Sequence, residues 1–344
     1  MLTLHQQPDR RERYEQLRPF SFEEDLGVLC VYDADLISEI FRSEDFRTNP
    51  FADHYREIAE RTGIDFQASI ATLDHIPFSK EGAEHQRLRK EMNKIVSAES
   101  QVHIAGMEAF IAELTASLFV AANEIELTRQ LARPIFFELF GRWLKVDERE
   151  FIEESNFSAV FDGAMSLNRR KRVNANLKGL RCAFAERADR IPTTPEIAVA
   201  MNVLGNDALM GSLVLSLWHV LEQNAGARLN DIEIPPNLVA TGVPFIERIA
   251  NRDIEINGMK VAKDEKVRLM IDATSRQITG IEADLFFGKG RHLCIGKPMT
   301  LVIWRAISRG LRKIPLRFTM GDMKLRTGDY AFNYPEFAWI SLHE

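Results

Sequence analysis

One cysteine of the chain stands in a segment that could hold a metal-binding thiolate. Cys294 follows Gly288 and Gly290, whose backbones can adopt tight conformations close to a flat partner, and it precedes Gly296, after which a helix can begin. Backbone N–H groups at a helix N-terminus favour an anion and lower the pKa of a thiol, as an axial metal ligand requires. The alternative is a buried structural cysteine in a glycine-rich turn, the usual role of a lone cysteine.

This segment resembles the cysteine-loop signature of the cytochrome P450 superfamily, FGxGxHxCxG. Residues 287–296, FGKGRHLCIG, fill every fixed position of that signature. The resemblance implies heme b (iron protoporphyrin IX) whose iron is bound by the Cys294 thiolate, with Phe287 packed beside the sulfur and His292 near a heme propionate. A thiolate ligand donates electron density to iron and favours O–O cleavage, which is the basis of monooxygenase chemistry.

Two upstream segments add candidate contacts to the heme propionates. Residues 84–89, EHQRLR, resemble the EHxxLR stretch of bacterial members of the family, and His85 and Arg89 would share one helix face because they are four residues apart. Residues 244–250, PFIERIA, resemble the family's P…RxA segment and add Arg248. Without the cysteine loop, His85 and Arg89 would equally fit a solvated basic face.

The chain departs from the family where oxygen is normally activated. Its LGNDAL, residues 204–209, corresponds to the family's (A/G)Gx(D/E)T(T/S), and Ala208 replaces the threonine whose hydroxyl helps to deliver protons. Asp207 lies in an apolar helix, where a carboxylate is costly unless it is paired, wet or functional. It is the best catalytic candidate, with Asn206 as a second polar group in the distal pocket. The alternative is that Asp207 forms a structural ion pair.

Two further departures concern the region behind the heme. The family's Glu-x-x-Arg pair should lie just before Pro244, but residues 237–240 are NLVA, and Pro235 and Pro236 precede them. The interval between Val267 and the cysteine loop is also shorter than the family's meander. Arg276 is the one nearby basic residue that could replace the arginine of the family's meander. Loss of the whole charged triad would be tolerable, because it leaves no unpaired buried charge. These features predict a compact, atypical member of the family.

The periodicity along the chain predicts a mostly α fold (α+β). A strand at residues 27–32 precedes a run of helices at 87–96, 104–122, 127–144 and 147–160, the third of them divided by Pro134. A long helix capped by Thr194 runs to about Asn224 and is apolar on nearly every face, so it should lie buried in the centre. Asn257 and Gly258 suit a type I′ hairpin turn. A last helix over 297–311 and strand-like residues at the C-terminus complete a P450-like fold with small β-sheets, predicted as a single domain over residues 1–344.

Composition excludes several classes of protein. Lys and Arg number 44 against 50 Asp and Glu, so no basic excess favours nucleic acid. The three cysteines are far apart, which argues against a disulfide framework. The N-terminus has no apolar signal region and no membrane span is expected, so the sequence predicts a cytoplasmic protein.

The sequence therefore predicts a heme-thiolate oxidoreductase, of monooxygenase class, acting on a small or carrier-bound apolar molecule. Lys289, Arg291 and Lys297 could form a basic patch for an acidic ferredoxin, or could simply be solvated. Two alternatives remain open at this point. One is a peroxide-driven or non-oxidative heme enzyme, such as a dehydratase or isomerase, and the other is a non-catalytic heme-binding or scaffold homologue.

Overall fold

A computed structural model describes residues 10–24, 27–146, 156–276, 285–326 and 331–344. Its α-helices are α1 (Arg10–Leu17), α2 (Ala34–Arg42), α3 (Phe51–Thr62), α4 (Gln67–Asp74), α5 (Gly82–Ser97), α6 (Ser100–Ala121), α7 (Arg133–Leu144), α8 (Leu167–Ala185), α9 (Pro195–Gln223) and α10 (Lys297–Leu311). Its strands are β1 (Phe20–Glu23), β2 (Val28–Val31), β3 (Phe46–Thr48), β4 (Glu124–Glu126), β5 (Ile246–Ala250), β6 (Ile254–Ile256), β7 (Met259–Val261), β8 (Lys266–Leu269), β9 (Arg317–Leu325) and β10 (Pro335–His343).

The centre of the molecule is the long helix α9, as predicted. Thr194 caps it by accepting the N–H of Ile197, and Pro195 occupies its first turn, where a missing N–H costs nothing. Helices α4, α7 and α8 and strand β10 pack around α9. It is buried along most of its length, but Leu204, Gly205, Asn206 and Ala208 are half-exposed. The middle of the core helix therefore borders a space that its neighbours do not fill.

Small sheets flank the helices. The first has the order β1-β2-β8-β5-β3, with β2 and β8 parallel and its other neighbours antiparallel. The second has the order β4-β10-β9, and β6 pairs with β7 in a hairpin. Asn257 and Gly258 both have positive φ, as the predicted type I′ turn requires. In the first sheet, β5 places Arg248 between Thr48 and Val267 of its two neighbours.

The predicted helix over 127–144 is divided at Pro134, as the sequence indicates. Residues 127–132 form π-helical turns, and α7 continues from Arg133. For the predicted helix over 147–160, residues 147–155 lie outside the described residues. The prediction of an α-helix is wrong for the end of this range, because residues 157–161 form a short 3₁₀-helix. The Asn156 side chain caps this helix by accepting the N–H of Ala159.

Residues 232–245, where the family's Glu-x-x-Arg helix would lie, form no helix or strand. This segment lies directly on α9. The Ser216 hydroxyl oxygen accepts the N–H groups of Val239 and Ala240, at 3.2 and 3.0 Å, and donates to the carbonyl of Ala240 at 2.9 Å. Serine side chains of the core helix therefore satisfy backbone groups that a helix would have satisfied internally.

In the part of the chain that the structure describes, two helices, α6 and α9, are long and apolar enough to span a bilayer by length and composition alone. Helix α9 is the buried core helix, which explains its composition. Helix α6 packs along α10 on one side and exposes alanine and valine side chains, among them Val102 and Val120, on the other.

Candidate cofactor-binding site

The cysteine loop, residues 287–296, is a tight turn that ends at the N-terminus of α10. The Cys294 N–H donates to the carbonyl of Phe287 at 2.8 Å, which closes the loop. Gly288 and Gly290 have φ of 69° and 67°, a conformation that side-chain-bearing residues rarely adopt. At Gly290 a Cβ would also lie 3.1 Å from the carbonyl oxygen of Phe41. Gly296 has an ordinary φ of −77°, and a Cβ there would lie 3.8 Å from the Cys294 sulfur.

The Cys294 thiol lies where the sequence places it, in front of the first turn of α10. The backbone N–H groups of Gly296 and Lys297 donate to it, and the side chains of Arg89 and Lys297 add positive charge. The Cys294 side chain is exposed. The protein atoms packed around the sulfur nevertheless desolvate it, and this raises the pKa of the thiol above its ordinary value despite these groups.

The predicted lowering of the Cys294 pKa is therefore wrong for the protein without a metal. Desolvation of the sulfur outweighs the helix N-terminus and the charges of Arg89 and Lys297 together. A coordinated metal cation would add a stronger positive charge at the sulfur and deprotonate the thiol outright.

Two histidines lie together beside the loop. The rings of His85, from α5, and His292, from the loop, have centroids 4.3 Å apart. Nε2 of His292 approaches a carboxylate oxygen of Glu81 at 3.4 Å. Nε2 of His85 and Nδ1 of His292 are buried and have no hydrogen-bond partner among the described residues. Burial lowers the pKa of both rings, that of His85 to about 4.

Arg89 and Arg248 lie near the two histidines, and few negatively charged groups offset the charge of these arginines. Arg248 is 5% exposed, and its guanidinium donates to the carbonyl of Glu247 at 2.9 Å and stacks on Phe41 at 5.3 Å. Burial lowers its pKa to about 10. Burial also lowers the pKa of Arg89, and the nearby Cys294 opposes that effect. Within the described residues neither guanidinium forms a salt bridge with a carboxylate.

This donor set fits heme. Unpartnered ring nitrogens and buried guanidinium groups are costly in the protein alone and favourable beside two carboxylates, which a heme presents as propionates. Among the described residues no three His, Cys, Asp or Glu side chains are grouped to hold a metal ion. The structure brings together five of the predicted cofactor contacts: Cys294, His85, Arg89, Arg248 and His292.

The predicted distal residues lie on the half-exposed stretch of α9, except for Asp207. The Asp207 side chain is 2% exposed, and its Oδ2 accepts from the Ser158 hydroxyl and from the Arg326 guanidinium. The Arg326 guanidinium in turn stacks on Tyr334 at 4.4 Å. The ion-pair alternative stated from the sequence thus describes the contacts of Asp207, whereas a catalytic role for it stays a prediction.

Sequence reasoning missed Glu81, Ser158 and Arg326. Glu81 directly precedes the EHQRLR segment and could have been noticed there. Nothing in the local sequence connects Ser158 or Arg326 with Asp207, because the pairing joins distant segments.

The predicted basic patch is partly used for internal contacts. Lys289 donates to the Ser38 hydroxyl at 3.0 Å, and Arg291 pairs with Glu81 at 3.0 Å. Lys297 lies 6.0 Å from the ring centroid of Phe287. Of the three, Arg291 is the most exposed, yet it also donates to the carbonyl of Phe46.

Known proteins were compared with the chain by sequence and by structure. No family model matches it, and no curated protein matches its sequence. Many solved structures match over nearly their full length. P450BioI, solved with an acyl carrier protein ligated to hexadec-9Z-enoic acid, is 16% identical with a TM-score of 0.78, covering 97% of both chains. CalO2 is 16% identical with a TM-score of 0.76, covering 98% of both chains. Epothilone D-bound P450epoK is 17% identical with a TM-score of 0.76, covering 100% of both chains.

These likenesses cover 97–100% of the chain. The predicted fold class is confirmed. The chain has the cytochrome P450 fold.

Proposed function

We propose that the protein is a heme-thiolate oxidoreductase of the monooxygenase class. The observation that carries this proposal is a cluster of side chains beside the Cys294 thiol. Among the described residues, Arg89 and Arg248 form no salt bridge, and one buried ring nitrogen each of His85 and His292 has no hydrogen-bond partner. Such a cluster destabilises the protein alone, and it is matched by a flat, dianionic cofactor that contains iron. The P450 fold of the chain supports the same assignment.

In this proposal Cys294 binds the iron, and Phe287 packs beside the sulfur. His85, Arg89, Arg248 and His292 hold the propionates, while the N–H groups of Gly296 and Lys297 stabilise the sulfur's negative charge. When bound, the heme supplies the activation of oxygen for transfer to an apolar substrate. The protein's share of the chemistry is to hold the heme, exclude water and deliver protons.

Proton delivery is assigned to Asp207, since Ala208 has no hydroxyl. The Asp207 carboxylate is tied to Arg326, whose side chain is 22% exposed, and this pair connects the buried middle of α9 with the protein surface. To give up a proton in the distal pocket, the Asp207 carboxyl would have to separate from Arg326. Asn206, half-exposed on α9, would orient a water molecule or a polar group of the substrate.

The proposed substrate is a small or carrier-bound hydrophobic molecule. Leu204, Ala208, Phe245 and Ile246 are apolar and half-exposed, as the side chains that line ligand pockets usually are. P450BioI was solved with a fatty acyl group ligated to an acyl carrier protein, which supports delivery of the apolar chain by a carrier. A ferredoxin-type protein is the proposed electron donor.

A second candidate function is heme chemistry without reductive activation of oxygen. It is favoured by Ala208 in place of a hydroxyl and by the engagement of Asp207 in an ion pair. Such an enzyme would use peroxide, or would dehydrate or isomerise its substrate with no oxidant. Consumption of NAD(P)H through added redox proteins, coupled to product formation, would reject it in favour of the monooxygenase. A non-catalytic heme-binding homologue would show neither activity.

The deciding experiment is the absorption spectrum of the heme-loaded protein, reduced under carbon monoxide. We expect the strongly red-shifted Soret band of a thiolate ligand. Cys294→Ala should lose this band, whereas Cys182→Ala, a change at the exposed cysteine of α8, should keep it. A Cys294→Ala protein with the parent's spectrum, or a parent protein that binds no heme, would overturn the proposed function.

A further inference from the structure

A single carboxylate joins the cysteine loop to the N-terminal half of the protein. Oε1 of Glu81 accepts the backbone N–H of Thr48, in β3, at 2.8 Å. Its Oε2 lies 3.0 Å from Nε of Arg291 and 3.4 Å from Nε2 of His292. Among the described residues, no other carboxylate forms a hydrogen bond or ion pair with side chains of the loop, residues 287–296.

Glu81 reaches the loop because its side chain is not used to cap its own helix. It stands at the N-cap position of α5 with an extended backbone, and its side chain accepts no N–H from the first turn of the helix. Its backbone carbonyl accepts the N–H of His85 at 3.4 Å. One residue therefore fixes both the start of the helix that carries His85 and Arg89 and the loop that carries Cys294.

The family's usual lock behind the heme is absent from this chain. Residues 237–240 carry no charge, and the segment that contains them is held to α9 by uncharged serine contacts. The other anchors of the cysteine loop are also N-terminal, at the Ser38 hydroxyl and the Phe46 carbonyl. The loop is thus attached to α2, β3 and the start of α5.

We propose that Glu81 is the positioning residue of the cysteine loop and takes over the task of the missing Glu-x-x-Arg pair. It holds Arg291 and His292 so that the sulfur of Cys294 and the propionate-binding side chains of α5 face one common space. The part of this inference that concerns heme rests on the proposed function, whereas the attachment of the loop does not.

The electrostatics agree with this role. Burial alone would raise the pKa of Glu81, but the hydrogen bonds from His292 and Thr48 and the charge of Arg291 hold it at about 2. Glu81 is therefore a carboxylate throughout the neutral range, and its contact with the Arg291 guanidinium is an ion pair between two charged groups.

The first test compares Glu81→Ala and Glu81→Gln with Glu84→Gln in the heme-loaded protein. Glu84 is a matched control because it is an exposed acid in the first turn of the same helix, 3.9 Å from Lys80. Outer contacts that orient a metal ligand are typically worth about 10- to 100-fold in metal affinity. We expect Glu81→Ala to lose heme to excess apomyoglobin about 10- to 100-fold faster, with part of the carbon monoxide band unshifted. Glu81→Gln should lie between Glu81→Ala and the parent, and Glu84→Gln should match the parent.

Arg291→Ala tests whether Glu81 acts through the loop. If it does, adding Arg291→Ala to Glu81→Ala should accelerate heme loss by much less than the same change does in the parent. Multiplicative effects of the two substitutions would contradict the proposal.

A second readout needs no heme. In the full chain without added heme, Glu81→Ala should speed amide hydrogen exchange in a peptide covering residues 286–296 and leave a peptide from α9 unchanged. Faster exchange in both peptides would indicate general destabilisation and overturn the proposal, as would no change in either. Faster exchange in the loop alone, in a protein that takes up no heme, would support Glu81 as the anchor while rejecting the proposed function.

Discussion

Several single residues lower the stability of the protein without a cofactor and at the same time suit it to bind one. Arg248 and His85 are buried with little to satisfy them, and Cys294 is held in a setting that disfavours its charged form. Each arrangement destabilises the protein when no partner is present, and a bound heme would supply that partner. Substitutions at these positions should therefore affect apoprotein stability and heme binding in opposite directions.

Arg248→Met is the first such substitution. It removes a buried guanidinium without a carboxylate partner, so we expect the unfolding free energy of the apoprotein to rise by about 1 kcal/mol. Heme affinity should fall, because one propionate contact is lost. Urea unfolding of the apoprotein and heme titration measure the two effects, with Arg172→Met on the exposed face of α8 as the control. A less stable Arg248→Met apoprotein would contradict the argument.

The lowered pKa of His85 predicts how the stability of the apoprotein depends on pH. Burial, followed by the charges of His292 and Arg89, lowers the pKa of His85 from 6.5 to about 4. The unfolded chain therefore takes up a proton between pH 6.5 and about 4 while the folded protein does not, and the contribution of His85 to stability falls as the pH falls through this window.

His85→Phe should remove this part of the pH dependence. We expect the apoprotein's loss of unfolding free energy between pH 6.5 and 4 to shrink by about 2 kcal/mol. The same change at the exposed His343 should leave the slope as in the parent. Equal slopes in parent and His85→Phe, measured by urea unfolding at a series of pH values, would show that His85 titrates alike in both states.

Among the elements, the segment before β5, residues 232–245, is held in place by close backbone contact with α9. Gly211 of α9 and Gly242 of the segment touch: a Cβ on Gly211 would lie 2.9 Å from the carbonyl oxygen of Asn333 and 3.2 Å from Cα of Gly242. The Ser212 hydroxyl oxygen accepts the N–H of Gly242 at 2.9 Å. The segment can replace a helix only because it comes close enough to the core helix for these bonds.

Gly242→Ala should separate the segment from α9. A Cβ at this position would lie 3.0 Å from the backbone nitrogen of Ser212, so we expect a loss of about 1–3 kcal/mol in unfolding free energy, as for other overpacking changes. Gly163→Ala is the control, since nothing lies within 4 Å of its added Cβ. Thermal unfolding distinguishes the two, and a Gly242→Ala protein as stable as Gly163→Ala would show that the approach is looser.

At the scale of the whole molecule, one buried ion pair connects the core helix with the C-terminal sheet. Asp207 lies in the middle of α9, and Arg326 directly follows β9. Ser158 adds a third segment through its hydrogen bond to the same carboxylate oxygen. Three distant parts of the chain therefore meet at one carboxylate.

Arg326→Met leaves the Asp207 carboxylate buried without its cation. We expect a cost of about 2–4 kcal/mol, reduced from a fully buried case because Arg326 keeps contact with water. Asp207→Asn in the same protein should recover most of it, because a neutral amide needs no counter-charge and can still accept from Ser158. Urea unfolding of the two single variants and the double variant measures this coupling; additive losses would mean that the pair is energetically unimportant.

Sequence patterns were sufficient to predict the fold class, which the structure confirms. Periodicity was sufficient for α9 and α10, because their apolar faces and end signals are local, and the type I′ turn at Asn257-Gly258 follows from two residues that tolerate positive φ. The signature around Cys294 and the segments with His85, Arg89 and Arg248 predicted candidate cofactor contacts from residue types at fixed spacing, and their roles stay predictions.

The charge partners and the burial of these residues follow from the tertiary structure. The pairing of Asp207 with Arg326, the anchoring of the cysteine loop by Glu81 and the raised pKa of Cys294 all depend on segments far apart in the chain. Burial and charge partners are properties of the packed molecule, and local sequence carries no measure of the desolvation that a group will meet. For this reason the sequence predicted the site residues, whereas the fold determined their charges, partners and supports.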